Sequence, residues 1–243
     1  MQAWGLTDAG NVRVQNQDDY RIERLSEDTI LAVVCDGMGG ARSGNVASRL
    51  AGEVFSEEVK RSFTEAMTPE EAEKVLRSAA TLANISVFEH AQMSEEFSGM
   101  GTTLVACLAY PKATLILNIG DSRAYHVNSD GICRVTTDHS VVELMVMRGE
   151  LTTEQAKTHP SKNLITRAVG TTKQVYADAF HLTVQEGDCI LLCSDGLSNQ
   201  MSDQEILFEI AHGANQDDCC QRLMEIAKDR GAPDNVTAVL IAL

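Results

Sequence analysis

The sequence predicts a mixed α/β fold of the α+β kind, with largely antiparallel sheets that carry helices on their outer faces. Three observations lead there. Apolar runs of strand length come in pairs separated by turn signals, as in "TTLVACLAY", "PKA" and "TLILNI". Helical patterns are grouped together and do not alternate one-to-one with strands, which sets aside a doubly wound βαβ sheet. No repeat, low-complexity stretch or Pro/Ser-rich linker interrupts the chain, and with only four prolines in 243 residues nothing marks a boundary. One domain over residues 1–243 is expected.

The elements follow in order. "ILAVVCDGMGG", Ile30 to Gly40, sets six apolar residues before Asp36 and three glycines after it, the pattern of a buried strand closed by a turn. An ionised carboxylate at that point is costly beside an apolar core. Asp36 therefore either caps its own turn or belongs to a metal or catalytic site. From Ser43 to Phe63, Val46, Ala47, Leu50, Ala51, Val54, Phe55 and Val59 recur with a 3.6-residue period. A second helix opens at "TPEE", with Thr68 as N-cap, Pro69 at the first helical position and Glu71 completing a capping box. It should run to about Ala91, with Val75, Leu76, Ala79, Leu82 and Ala83 on its buried side.

Beyond the first hairpin, "RAYHV" and "ICRVT" flank "NSDG" as a second one. The stretch from Ser140 to Val169 reads as short helices and loops. Strands "YADAFHLTV" and "CILLC" follow across the turn "QEGD". A helix capped by Ser202 with Glu205, a helix from about Asp217 to Lys228 and the strand "VTAVLIAL" complete the pattern.

Composition narrows the function. The apolar fraction of 44% is ordinary for a globular core, and no apolar run approaches the ~18 residues of a membrane span. "MQAWGLTDAG" carries neither a basic region nor an apolar stretch, so a signal peptide is not expected and a cytoplasmic location is. Seven cysteines, an odd count without CxxC or a zinc spacing, read as reduced, core-filling thiols. A net charge of −15 argues against nucleic acid or an anionic membrane surface as partner.

The strand-end Asp returns. "TLILNIGDSR" ends in Gly120-Asp121, "CILLCSDGLS" in Asp195-Gly196, and "GAPDNVTAVLIAL" sets Asp234 just before a strand. A capping role explains any one of them. Strand ends gathered at one sheet edge would bring the set together, and converging carboxylates need protons or cations. All-oxygen ligands suit Mg²⁺ or Mn²⁺. Two such ions could acidify a bridging water and clamp a phosphate for in-line attack, and glycines after Asp36 would permit close approach. A metal-dependent phosphoester hydrolase is the reading from the residues alone.

Taken in chain order, "TDAGNVRVQNQDDY", "VVCDGMGGARSG", "GTTLVACL", "NIGDSRAY", "TTDHS", "LLCSDGLS" and "GAPDNVTAVL" resemble the metal-dependent serine/threonine phosphatases of the PPM type, the protein phosphatase 2C group. The likeness is greatest to compact bacterial members and spans nearly the whole chain. It implies an αββα sandwich: two central antiparallel sheets, helix pairs outside, and a small flap at about residues 142–164. It also implies hydrolysis of phosphoserine and phosphothreonine in proteins, by direct attack of a metal-bridging hydroxide on phosphorus.

The resemblance carries roles to positions. Asp36 would bridge two Mn²⁺ or Mg²⁺ ions and Gly37 would bind one through its carbonyl. Asp195 and Asp234 would complete the set of ligands around the first ion, and Asp18, in "NQD", would act on the second ion. Asp121 would help hold a third, weaker ion, with a turn-capping role as its alternative. For Asn235 a local turn role stands beside a site role. Arg13 would grip the substrate phosphate, as a guanidinium can with two oxygens at once. Two departures bear on the proton donor: Met38 and Ala41 stand where relatives carry His. His159, in "THP", is the remaining candidate acid, and water acidified by the ions is the alternative. The flap sequence "RGELTTEQAKTHPSKN" suits a mobile, substrate-contacting surface, with Leu144, Met145 and Val146 expected to pack beneath it.

Two rival readings are a phosphatase-like binding module that has lost catalysis and a phosphatase of sigma-factor switches specific for one phosphoprotein. The implied partners are phosphorylated proteins, a cognate serine/threonine kinase and a phosphopeptide-reading protein that controls secretion.

Overall fold

A computed structural model describes residues 1–39, 43–213 and 215–243 of the chain. Its order is β1 (Gln2–Asp8), β2 (Asp18–Ser26), β3 (Thr29–Met38), α1 (Gly44–Ser62), α2 (Pro69–Ala91), β4 (Gly101–Thr102), β5 (Leu104–Tyr110), β6 (Ala113–Ile119), β7 (Arg123–Asn128) and β8 (Gly131–Arg134). There follow α3 (Val141–Met147), α4 (Thr153–Lys157), β9 (Asp178–Leu182), β10 (Cys189–Cys193), α5 (Asp195–Ser198), α6 (Asp203–His212), α7 (Cys219–Asp229) and β11 (Val236–Ala242).

Among the described residues the strands form two antiparallel sheets, ordered β1-β11-β10-β7-β8 and β2-β3-β5-β6-β9, with β4 beside β3. The continuous apolar runs now have a cause. On β3, Leu31, Val33 and Cys35 face α1 and α2, while Ile30, Ala32 and Val34 face the other sheet. On β10, Cys189, Leu191 and Cys193 face the C-terminal helices, while Ile190 and Leu192 enter the space between the sheets. Both faces of these central strands are buried, so alternation disappears from the sequence.

Helix starts behave as their chemistry requires. Thr68 and Ser202 each close a capping box, with Glu71 and Glu205. Along α1, Ala47, Ala51, Phe55 and Val59 are buried, and along α2, Leu76, Ala79 and Ala83 are. Leu82 is not: at 39% exposure it lies beyond the edge of the buried stripe.

Other departures share a physical origin. Strands β1 and β2, unassigned from the sequence, are sheet-edge strands whose residues are mostly half-buried, so they carry no apolar run. Tyr20 joins them across the seam by donating its hydroxyl to the Gly5 carbonyl at 2.9 Å. The "QEGD" turn carries the chain from one sheet to the other, since β9 pairs with β6 and β10 with β7 and β11. The cysteines are free thiols, and all but exposed Cys133 are buried. In the flap region Val142 is buried and Met145 and Val146 are half-buried, but Leu144 is 42% exposed, so the expected packing is corrected at that residue. Among the described residues no helix is long and apolar enough to cross a membrane.

Truncating the contact between the sheets should be felt at full strength. Leu192→Ala, at a fully buried position, is expected to lose about 2–5 kcal/mol of unfolding free energy. Leu82→Ala should stay within about 1 kcal/mol of wild type. Urea denaturation of the two variants checks both.

Candidate active site

Strand register builds the site. β2 and β3 run antiparallel with Asp18 directly opposite Asp36. Asp121 follows β6, Asp195 opens α5 immediately after β10, and Asp234 stands two residues before β11. The pairing of these strands brings their ends to one edge of the sandwich. Asp36, Asp121, Asp195 and Asp234 line one cleft of about 260 Å³ with Arg13 and Gly37. Gly37 is required by space: a Cβ there would lie 2.1 Å from the Gly44 carbonyl oxygen and 2.5 Å from that of Gln17.

The acids burden one another. Burial first, then Asp18, Asp195, Asp121 and Asp234, push the Asp36 carboxyl well above the usual range. Burial, then Asp195 and Asp138, push Asp121 up to about 7. Asp18 also rises to about 7, chiefly through burial, although Thr237 and Ser194 donate to it and act in the opposite direction. Asp195 is raised by burial and by Asp234.

Three of the acids also have a protein donor. Asp234 Oδ2 accepts from Arg13 Nη2 at 2.8 Å, and Asp195 Oδ2 from Asn199 Nδ2 at 3.0 Å. Asp18 Oδ2 accepts from Ser194 Oγ at 2.8 Å and Thr237 Oγ1 at 2.6 Å. Among the described residues no three acidic, His or Cys side chains stand as a ready-made cation cage. Arg123 faces the cluster but is committed to Asp138 by a bidentate pair, Nε to Oδ1 at 3.0 Å and Nη2 to Oδ2 at 2.6 Å.

The donor set nevertheless fits hard divalent cations. It is all oxygen, it gathers buried negative charge, and Asp18 Oδ1 is buried without a hydrogen-bond partner among the described residues. An oxygen in that condition lacks several kcal/mol of solvation unless something meets it.

The sequence reading missed the residues that aim these acids. Thr103 Oγ1 accepts from the Asp36 backbone N–H at 2.8 Å and bonds Ser122 Oγ at 2.7 Å, so one hydroxyl links two acidic turns. "GTTLVACL" carried the family likeness, but no spacing rule marks Thr103. Asn235 does more than form a local turn. Its Oδ1 accepts from Gln17 N at 2.9 Å and its Nδ2 donates to the carbonyls of Ala9 and Gln15, both at 3.0 Å. It thereby pins the loop that carries Arg13.

His159 lies apart from this group. It is half-buried, its Nδ1 accepts from Ser161 N at 3.1 Å, and it lines neither the cleft nor the cavity beside it. Met38 lines the cleft and offers no proton, while Ala41 lies outside the described residues. The adjoining cavity, about 510 Å³, shares Asp121 and Asp195 and is walled by Val142, Val146, Ala156 and Lys162 of the flap region.

Comparison with known proteins agrees with this geometry. The model of the protein phosphatase 2C family matches residues 11–240, and the chain belongs to that family: it is a protein phosphatase. Serine/threonine phosphatase stp of Listeria monocytogenes is 34% identical over 241 residues, 99% of this chain and 95% of that one. The crystal structure of Stp1 from Staphylococcus aureus superposes with a TM-score of 0.92 at 37% identity, covering 100% of this chain and 94% of that one. The catalytic domain of the phosphatase PstP, solved in complex with two manganese ions, gives a TM-score of 0.83 at 30% identity, covering 98% and 96% of the two chains.

Removing one buried carboxylate should relieve the cluster when no cation is present. In EDTA, Asp36→Asn is expected to be more stable than wild type by about 1–2 kcal/mol, raising the melting temperature by roughly 2–6 °C. A thermal melt in which the variant is less stable than wild type would contradict the reading of the cluster as strained by its own charge.

Proposed function

We propose that this metal-dependent serine/threonine protein phosphatase, a single phosphatase domain over residues 1–243 with a flap at about 142–164, hydrolyses phosphoserine and phosphothreonine in proteins at the acidic cleft. The observation that carries the reading is the convergence of Asp18, Asp36, Asp195 and Asp234 beside Arg13, within a chain matched by the family model over residues 11–240. Asp36 would serve two Mn²⁺ or Mg²⁺ ions, with Asp195 and Asp234 holding one and Asp18 and the Gly37 carbonyl the other. Asp121 would hold a third, weaker ion. Bound there, the ions supply Lewis acidity, which makes water a nucleophile near neutral pH and offsets charge on the phosphoryl oxygens.

The chain's own residues do the rest. Asp234 and Arg13 pair on the exposed side of the cleft, with the Arg13 side chain 55% exposed, so little is lost when they separate. Freed from that pair, Arg13 would take two phosphate oxygens and orient the ester in line. No serine or cysteine nucleophile is invoked. Because His159 lines neither cavity, the leaving alkoxide is assigned its proton from water in the open cleft. His159→Gln is then expected to change kcat by less than about threefold.

No observation favours a catalytically silent binding module, since acids stand at every expected position, or a sigma-factor-switch enzyme. A phosphatase of this specificity requires a serine/threonine kinase that supplies its substrate, and we place both in cytoplasmic signalling. A phosphopeptide-reading, secretion-regulating partner is the further implication of the family resemblance.

The direct test is Mn²⁺-dependent release of phosphate from a phosphothreonine peptide. Wild type should need the ion, Asp36→Asn should lose at least ~10³-fold in kcat, and Arg13→Lys should lose about 10–100-fold in kcat/KM. Ion-independent hydrolysis, or full activity in Asp36→Asn, would overturn the mechanism.

A further inference from the structure

The "TTDHS" segment contributes His139, a buried histidine, 6% exposed, that the mechanism above does not use. It sits where the turn carrying Asp121 meets the root of the flap. After β6 the chain turns at Gly120 with φ +111°, where a Cβ would lie 2.6 Å from Thr103 Cγ2. One residue grips that turn from both sides. Gly120 N donates to His139 Nδ1 at 3.0 Å, and His139 N donates to the Gly120 carbonyl at 2.9 Å.

This geometry selects a tautomer. A backbone N–H can only donate, so Nδ1 accepts and the neutral ring carries its proton on Nε2. Nε2 then donates to Asp178 Oδ2 at 3.0 Å. Arg167 Nη1 donates to Asp178 Oδ1 at 2.7 Å; its 3.0 Å approach to Nε2 sets donor against donor in this tautomer, so Asp178 is the link between ring and guanidinium. The backbone continues the connection into the flap. The His139 carbonyl accepts from Thr166 N at 2.7 Å, Ser140 bridges Ile165, and Val141 N donates to the Leu164 carbonyl at 2.8 Å. Ile165 lines the acidic cleft.

We propose that His139 is a positioning residue: its Nε2–H form locks Gly120, sets the Asp121 carboxylate for the weakest-held cation, and ties that setting to the flap root through Asp178 and Arg167. The inference rests on the reading of Asp121 as a cation ligand. It predicts that the side chain's acceptor at the Nδ1 position is what matters. An Asn side chain can offer Oδ1 there, whereas Gln reaches past it toward the Nε2 position.

The test is calorimetric titration of the full chain with Mn²⁺ alone, on wild type, His139→Ala, His139→Asn and His139→Gln, with melting temperatures in parallel. His139→Ala and His139→Gln should weaken the last binding event about tenfold or more, the usual scale for losing a group that orients a ligand. His139→Asn should stay within about threefold of wild type, and the tighter events should be unchanged in all variants. Should His139→Ala not fold, the Asn–Gln pair still decides the question. Equal weak-site affinity in Asn and Gln, or weakening of every event in step with a falling melting temperature, overturns the inference while leaving the metal reading intact. A wild-type chain that takes up no Mn²⁺ overturns the metal reading, and this one with it.

Discussion

Mutual repulsion among half-buried carboxylates is the constraint around which this structure is organised. Asp18 and Asp36 face each other across a strand pair, and Asp121, Asp195 and Asp234 arrive from other strand ends at the same edge. Asp18, Asp36, Asp121 and Asp195 are loaded by burial or by their neighbours away from free ionisation in the absence of cations. A fold can hold such a group only if the scaffold is rigid enough to resist its dispersal. The three apolar layers, one between the sheets and one under each helix layer, provide that rigidity. The site is therefore a local conflict held by global packing.

A second theme is the aiming of acids by neutral groups. Thr103, Ser194, Thr237 and Asn235 are uncharged, yet they determine where Asp36, Asp18 and the Arg13 loop stand. Hydroxyls and amides suit this task because they hold a carboxylate or a backbone group in place without adding a charge that would compete with a cation. Arginine is used differently. Arg123 is fixed by Asp138 within the wall, whereas Arg13 sits in an exposed pair that separates easily.

Much of this was legible in the chain. The buried strands announced themselves through apolar runs, and α2 and α6 through capping boxes that the structure reproduces. The strand-end Asp pattern pointed to a clustered site before any geometry was available. What stayed hidden was of two kinds. Edge strands β1 and β2 are half-exposed and lack a clean period. Residues such as Thr103 and His139 act through contacts tens of positions away, which no local spacing records. Leu82 shows the limit of periodicity itself, since a helix face has an edge that the eye places one residue too far.

Asn235 has a consequence for how this enzyme comes into being. It belongs to the approach to β11, which lies between β1 and β10, while the loop it pins lies near the other end of the chain. On a translating ribosome, Arg13 and Asp18 emerge early, but the amide that holds their loop and the hydroxyl of Thr237 that meets Asp18 come more than two hundred residues later. The sheet cannot close until that strand is inserted. A nascent chain thus carries the pieces of a phosphatase without being one until β11 has been added.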